Sequence, residues 1–224
     1  MKRKTLFLVA ALAVFTAISQ TGAEAVAPSF AERFTATQSG DTGVYDFDKA
    51  HSFIGFKVKH NGLIEVPGFF RDFTGTVKYD AADMTKSTVE FTAKATSVDT
   101  GVVGRDNHLR RADFFEVEKY PDLTFKSTKV EKKGSVWMLT GDLTMRGVTK
   151  SVNFPFQVAG WLAANERRGA VMGLTAETTV NRRDYNVSYG TPATLSDDIK
   201  IVLQIEAPKR RPAQPTPPAA TPKP

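Results

Sequence analysis

Cysteine is absent from this chain, and histidine occurs only three times in 224 residues. Without cysteine the fold has no disulfide, no thiolate for zinc and no N-terminal cysteine that could carry a lipid. His51, His60 and His108 are too scattered to match a zinc-binding spacing. HExxH, glycine-rich phosphate-loop and GxSxG motifs are missing as well. We therefore expect neither a metal site nor catalytic residues.

One group of residues has the composition of a catalytic triad but not its arrangement. Asp48, His51 and Ser52 lie close together in the sequence. Successive residues of a strand point to opposite faces, so His51 and Ser52 could not meet on one strand. This group therefore gives no reason to expect nucleophilic catalysis.

Long hydrophobic runs are also lacking. The run over residues 6–18 falls short of the ~20 residues that a membrane-spanning helix needs. Basic residues at positions 2–4 precede it, and small residues at positions 23 and 25 suit a cleavage site. These features predict a signal peptide over residues 1–25 and export of the protein. A retained membrane anchor stays open as the alternative.

The positive charge of the chain lies at its ends. The formal net charge is +6, of which residues 1–25 hold +2 and residues 208–224 hold +4. Residues 26–207 are therefore about neutral. A nucleic-acid surface needs concentrated positive charge to follow phosphates, so we expect no nucleic-acid partner.

Composition divides the rest of the chain into three parts. Residues 26–42 show no sustained period and are predicted to be a linker. Residues 43–207 form the folded body. Residues 208–224 are basic and rich in proline, and we expect a disordered tail because they offer too little apolar surface for a core. Attraction of this tail to anionic lipid or to the cell wall stays open, and with it a peripheral membrane contact.

Alternating apolar and polar residues dominate the body and predict eight or nine strands with short turns. In residues 52–60, for example, Ile54, Phe56, Val58 and His60 share one face and Lys57 lies on the other. Most strands have one apolar and one polar face, which is typical of an antiparallel sheet with one wet side. A sheet of this size closes into a barrel or splits into a sandwich.

Small residues on the predicted inner faces favour the barrel. They are Gly75, Ala93, Ala95, Gly141, Ala176 and Thr178. A closed barrel of about eight strands can hold one small ligand, and small wall residues would leave room for it. The alternative is that they only fit the taper and curvature of the barrel.

A short charged helix is predicted from residue 105 onward, as an insertion between the strands. Its charged residues are Arg105, Asp106, His108, Arg110, Arg111 and Asp113. They form either a charged lip at the entrance to the barrel or a solvated helix face with internal ion pairs. We expect Leu109, Phe114 and Phe115 to dock the helix on the barrel rather than to contact a ligand.

Six segments carry a resemblance to a known family. They are DKAHSFIGFKVKHNGL at 48–63, VPGFFRDFTGTV at 66–77, TSVDTGVVGRDNHLRRADFFEVEKYPDLTFKST at 96–128, GDLTMRGVTKSV at 141–152, NRRDYN at 181–186 and SDDIKIVLQIEA at 196–207. In this order they resemble the YceI family of bacterial periplasmic, lipocalin-like proteins. The family commonly has glycine where this chain has Asn186. Among residues other than glycine, asparagine best tolerates a left-handed backbone, so we expect the turn to be kept.

The resemblance implies a periplasmic protein with an extended, antiparallel, lipocalin-like β-barrel of about eight strands and a short helical insertion. Members of the family carry polyisoprenoid chains, such as isoprenyl phosphates or quinones, or fatty amides. The predicted tail-binding residues are those on the inward faces: Ile54, Phe56, Val58, Phe73, Val77, Phe91, Phe125, Phe154, Phe156 and Ile201.

The predicted head-group residues lie at strand ends. His60 and Arg182 fall on inward faces, and Asp184 follows two residues later. A buried arginine or histidine is costly without a partner, and a phosphate or a quinone carbonyl at the barrel mouth would supply one. The alternative is a polar plug made of Arg182 with Asp184 or with His60.

The function predicted from the sequence is that of a carrier that sequesters an isoprenoid lipid or a similar long-chain amphiphile, with no cofactor beyond the bound lipid or quinone. Two alternatives stay open: a structural or interaction module of the cell envelope that binds no lipid, and an accessory to quinone redox chemistry. Homodimerisation is open as well.

Overall fold

The computed structural model describes residues 40–166 and 169–211. The predicted signal peptide, most of the predicted linker and most of the predicted tail lie outside these residues. No helix in the described ranges is long and apolar enough to cross a membrane.

The described residues form one antiparallel sheet of eleven strands with a single α-helix. The strands are β1 Gly43–Asp46, β2 Phe53–His60, β3 Ile64–Phe70, β4 Phe73–Tyr79, β5 Thr88–Lys94, β6 Val98–Asp99, β7 Asp122–Lys133, β8 Val136–Met145, β9 Val148–Leu162, β10 Val171–Asn181 and β11 Leu195–Pro208. Helix α1 is Val103–Leu109, and 3₁₀ turns occur at Met84–Lys86, Ala95–Ser97 and Arg182–Tyr185. The spatial order is β1-β4-β5-β7-β8-β9-β10-β11-β2-β3-β6.

The sheet curls because β3 and β4 are two halves of one bent stretch of chain. Only Arg71 and Asp72 separate them, yet β3 pairs with β2 and β4 pairs with β5, near opposite ends of the spatial order. If β3 and β4 count as one and the short β1 and β6 are set aside, eight long strands remain. The predicted all-β, lipocalin-like barrel of about eight strands with a short helical insertion is confirmed.

Aromatic rings occupy the middle of the barrel. Phe91 on β5 lies opposite Phe125 on β7, and the two rings are stacked with their centroids 5.6 Å apart. Phe125 also contacts Phe154 on β9 at 5.7 Å between centroids. Each such pair stabilises the fold by about 0.5–1.5 kcal/mol beyond the burial of its area.

Two of the small inward residues make room for neighbouring rings and not for a ligand. A side chain at Gly75 would collide with the ring of Phe47, and one at Gly141 with the ring of Phe125. At these positions the tight fit of the wall explains the glycine. Ala93 and Ala176, in contrast, line internal cavities.

The end of the barrel away from α1 is closed by aromatic side chains. Trp161 contacts Tyr45 and Tyr79 at centroid distances of 5.6 and 4.7 Å. Burial raises the pKa of both tyrosine hydroxyls. The chain after β11 adds to this end, because the Arg210 backbone N–H donates to the Val44 carbonyl at 2.7 Å.

Candidate functional site

A cavity of about 320 Å³ lies inside the barrel beneath the helical insertion. The inward faces of several strands form its walls, as the alternation in β2 illustrates. Five of the predicted tail-binding residues line it: Ile54, Phe56, Val58, Phe91 and Ile201.

A second, smaller cavity of about 60 Å³ lies toward the end closed by Trp161. Five predicted tail-binding residues line this one: Val77, Phe91, Phe125, Phe154 and Phe156. Phe91 contributes to both cavities, so its ring and the stacked ring of Phe125 stand between them. Phe73 is buried in the core and lines neither cavity.

The insertion both covers the larger cavity and lines it. Leu109, Phe114 and Phe115 pack against the hydrophobic core, as expected of docking residues. Their side chains also line the cavity, and the expectation that they dock the helix rather than contact a ligand stays a prediction. Phe115 reaches Phe70 on β3 at 5.6 Å between ring centroids. The long sequence separation of these partners explains why periodicity alone did not reveal the contact.

The polar residues that line the cavity carry donors. They are His60, Thr100, Arg105, His108, Arg182 and Tyr189. No aspartate or glutamate is among the described residues of the lining. Imidazole, guanidinium and hydroxyl groups beside an apolar space favour a ligand with an anionic or hydrogen-bond-accepting head.

Arg105 is held at the mouth by Thr100. Its Nε donates to Thr100 Oγ1 at 2.7 Å, and its Nη2 donates to the Thr100 carbonyl at 2.8 Å. The Thr100 hydroxyl donates in turn to the buried carboxylate of Asp106 at 2.5 Å. Within the described part of the chain the Nη1 group of Arg105 has no hydrogen-bond partner, so it is available to a ligand. Of the two interpretations of the charged helix, a lip at the entrance therefore describes Arg105 better.

Two other charged residues of the insertion, His108 and Arg110, contact groups of the protein itself. His108 Nε2 contacts Asp113 Oδ2 at 3.0 Å, while its ring lies edge-on to Tyr189 at 4.8 Å. Arg110 donates to the carbonyls of Thr96 and Val98, both at 2.8 Å. The insertion thus has features of both interpretations: Arg105 lines the cavity, and His108 pairs with Asp113 within the insertion.

Arg182 is buried at the cavity wall, with 4% of its surface exposed. Its Nη2 donates to Asp197 Oδ1 at 3.0 Å, and three main-chain carbonyls accept its other hydrogen bonds: those of Val187, Leu195 and Ser196. Burial lowers the pKa of the guanidinium, and the charge of Arg183 adds to this shift while Asp197 opposes it. Four of the five N–H groups are in use, so one Nη1 hydrogen remains.

The polar plug exists, but its carboxylate is that of Asp197. Asp184 is exposed and does not line the cavity. Asp197 also accepts from Arg183 Nε at 2.6 Å. His60 lines the cavity at the end of β2, and no hydrogen bond to its ring exists among the described residues. His60 and Arg105 are therefore the side chains best placed to bind a head group.

The triad-like residues lie between β1 and β2 and line neither cavity. His51 Nδ1 contacts Asp48 Oδ2 at 2.7 Å, and this contact raises the pKa of the imidazole. The Ser52 hydroxyl instead donates to the Glu206 carbonyl at 3.1 Å, as expected if His51 and Ser52 do not meet. Asp48, His51 and Glu206 hold their ligand atoms within 4.8 Å and could bind a metal ion. Exposed acidic groups are common on proteins without a bound metal ion, and we assign no metal to this cluster.

The left-handed turn predicted at Asn186 is confirmed, since its φ is 61°. The turn ends the 3₁₀ segment Arg182–Tyr185, and its carbonyl accepts a hydrogen bond from Arg146 at the end of β8. The segment is thereby fixed between the start of β11 and the insertion. This placement puts Arg182 and Val187 against the cavity.

Known proteins are similar to this chain in sequence and in fold. The YceI-like domain pattern matches residues 45–207. Protein YceI of Escherichia coli O157:H7 is 35% identical over 181 residues, which cover 80% of this chain and 93% of that protein. The crystal structure of the Campylobacter jejuni YceI protein matches with a TM-score of 0.62 and 34% identity, over 73% of this chain and 96% of that chain.

A more distant structural neighbour shares the fold alone. It is described as a polyisoprenoid-binding domain from Saccharophagus degradans implicated in plant cell wall breakdown. The match has a TM-score of 0.59 and 15% identity, over 74% of this chain and 98% of that chain. The domain match over residues 45–207 and the 35% identity to Protein YceI of Escherichia coli O157:H7 show that the chain belongs to the YceI family.

Proposed function

We propose that this protein is a periplasmic carrier that sequesters an isoprenoid lipid, such as a polyprenyl phosphate or a quinone, or a similar long-chain amphiphile. The observation that carries the proposal is the apolar cavity of about 320 Å³, whose polar lining holds imidazole and guanidinium groups and, among the described residues, no carboxylate. The polyisoprenoid-binding description of a neighbour with the same fold supports the choice of lipid.

The tail would occupy the apolar part of the cavity. Burial of its surface contributes about 25 cal/mol per Å², before the cost of ordering the ligand. The cavity lies at the lower end of the range of roughly 300–1,000 Å³ that is usual for ligand sites. A long prenyl chain therefore has to displace the Phe91 ring and enter the second cavity, or protrude from the mouth.

The head group would lie at the mouth, against His60 and the free Nη1 group of Arg105. Both groups can donate hydrogen bonds to a phosphate or to a quinone carbonyl. Arg182 contributes a single hydrogen and mainly supports the wall through Asp197. Asp184 lies outside this site, so we propose no contact between it and the ligand.

The test is to isolate the protein from the periplasm without detergent, extract it with organic solvent and identify the extracted lipid by mass spectrometry. A stoichiometric prenyl phosphate or quinone supports the proposal, and a fatty acid or amide keeps the carrier role but overturns the isoprenoid ligand. An empty extract, with no binding of added lipid, favours an interaction module of the envelope. Recovery from the periplasmic fraction also tests the proposed location.

A matched pair of variants separates cavity binding from surface adsorption. Val58→Trp fills the cavity from β2, because Val58 lines it. Lys57→Trp places the same ring on the outer face of the same strand. We expect the Val58 variant to lose the extracted lipid and the Lys57 variant to keep it, with similar thermal unfolding for both.

A further inference from the structure

Exposed apolar side chains are concentrated around the mouth of the larger cavity. Among the described residues, the large hydrophobic side chains that remain exposed are Leu63, Ile64, Val102, Val103, Val136, Leu162 and Tyr189. Five of these seven either line the cavity or lie within three residues of a side chain that does. Val136 and Leu162 belong to the opposite end, where β8 begins and β9 ends.

These five come from three separate segments, which we call the rim: residues 59–64, 100–105 and 186–194. The Asn61 backbone N–H donates to the Thr194 carbonyl at 2.9 Å and joins the first segment to the third. Tyr189 in the third segment lies against His108 of α1 at 4.8 Å between ring centroids. The rim is therefore continuous, and the five exposed apolar side chains in it are 46–78% exposed.

The charges of the rim have one sign. Lys59 and Arg105 are the charged residues of the three segments, and the acids that border these segments are engaged within the protein: Glu65 with Lys200 at 3.2 Å, Asp99 with Arg71 at 2.8 Å, and the buried Asp106 with Thr100. The side chains of Lys59 and Arg105 are exposed. Apolar groups flanked by cations match the interfacial layer of a bilayer that contains anionic lipid.

A bilayer also fits the position of the rim better than a folded partner does. A lipid that leaves a membrane for an apolar cavity would cross water with its whole tail exposed unless the cavity mouth lies on the membrane. A rim of exposed leucine, isoleucine and valine around that mouth removes the aqueous gap. We propose that the rim is a membrane-docking surface that inserts Leu63, Ile64, Val102, Val103 and Tyr189 into an anionic bilayer interface. This inference rests on the proposed lipid-binding function.

The test is flotation of the protein, as isolated from cells, with vesicles of phosphatidylcholine and phosphatidylglycerol. The rim variant is Leu63→Ser with Val103→Ser, and the control is Val136→Ser with Leu162→Ser at the opposite end. We expect the rim variant to bind vesicles at least about tenfold more weakly, since each apolar carbon removed weakens partitioning. The control should bind as the unaltered protein does.

Binding of geranyl phosphate in solution separates this inference from the proposed function. Loss of vesicle binding by the rim variant with unchanged geranyl phosphate binding supports the docking surface. Equal vesicle binding by both double variants, or no vesicle binding by the unaltered protein, overturns the docking surface. Binding of geranyl phosphate would in that case still support the proposed carrier function. If the rim variant instead converts a dimer to a monomer without vesicles, the rim is an interface between two copies and the inference is overturned.

Discussion

The guanidinium of Arg182 pairs with the carboxylate of Asp197 at 3.0 Å, across the end of the barrel. Asp184, only two residues from Arg182 in the sequence, takes no part in this contact and is exposed. Arg182 follows β10 and Asp197 lies near the start of β11. The pair therefore connects two neighbouring strands at the wall of the larger cavity. This pairing predicts different effects on stability for substitutions at Asp197 and at Asp184.

Asp197→Ala should destabilise the protein by about 3 kcal/mol, because it leaves the buried charge of Arg182 without its carboxylate. Asp184→Ala is the matched control and should change the free energy of unfolding by less than about 0.5 kcal/mol. Urea denaturation measures both values. Equal losses would show that Asp184 shares the pairing, contrary to the geometry.

Phe91→Leu should let longer lipid tails bind. The Phe91 ring separates the two cavities, so a smaller side chain connects them and should raise the affinity for long prenyl phosphates relative to short ones. Phe73→Leu removes a buried ring that lines neither cavity and should cost similar stability without changing this ratio. The ratio of dissociation constants for the two chain lengths is the measurement. A change of the same size in both variants would mean that general loosening of the core is the cause.

Arg105→Gln should weaken binding of a prenyl phosphate by about tenfold, since a charge-assisted hydrogen bond is lost. The corresponding prenol should lose much less affinity, because its hydroxyl carries no charge. Arg111→Gln on the same insertion is the control, as Arg111 is exposed and does not line the cavity. Isothermal titration with both ligands provides the comparison. Equal losses for phosphate and alcohol would remove Arg105 from the head-group site.

Asp48→Asn should lower the pKa of His51 toward its ordinary value of about 6.5, because the hydrogen bond that the imidazole donates to the Asp48 carboxylate is the main cause of its elevation. A raised folded-state pKa stabilises the folded protein fully below the unfolded-state pKa, and this contribution is lost as the pH rises through the folded value. The stability difference between the two proteins should therefore shrink with rising pH across that window. NMR titration of the imidazole and urea denaturation follow the two effects.

A distant substitution serves as the control for this titration. Asp142→Asn on β8 should leave the His51 titration unchanged, since Asp142 is not among the groups that shift it. A His51 pKa that stays elevated in Asp48→Asn would contradict the assigned cause.

Strand faces were predictable from the sequence where alternation was regular. Ile54, Phe56 and Val58 point into the barrel as their period of two indicates, because a strand places alternate side chains on opposite faces. Phe73 shows the limit of this rule. It is buried, yet it lines no cavity. Whether an inward side chain borders an internal space depends on the size and position of the side chains on the opposite wall, which a period of two does not predict.

The sequence by itself determined the all-β class, the inward faces and the helical insertion, which follow from local periodicity, while the left-handed turn at Asn186 was predicted from the family resemblance together with the backbone preference of asparagine. Only the tertiary structure decided that Asp197 pairs with Arg182, that Phe114 reaches the cavity and that Phe91 divides the interior. These are contacts between segments far apart in the chain. Their distances are set by how the sheet curls and where the insertion folds back, and alternation along a single strand carries no information about either.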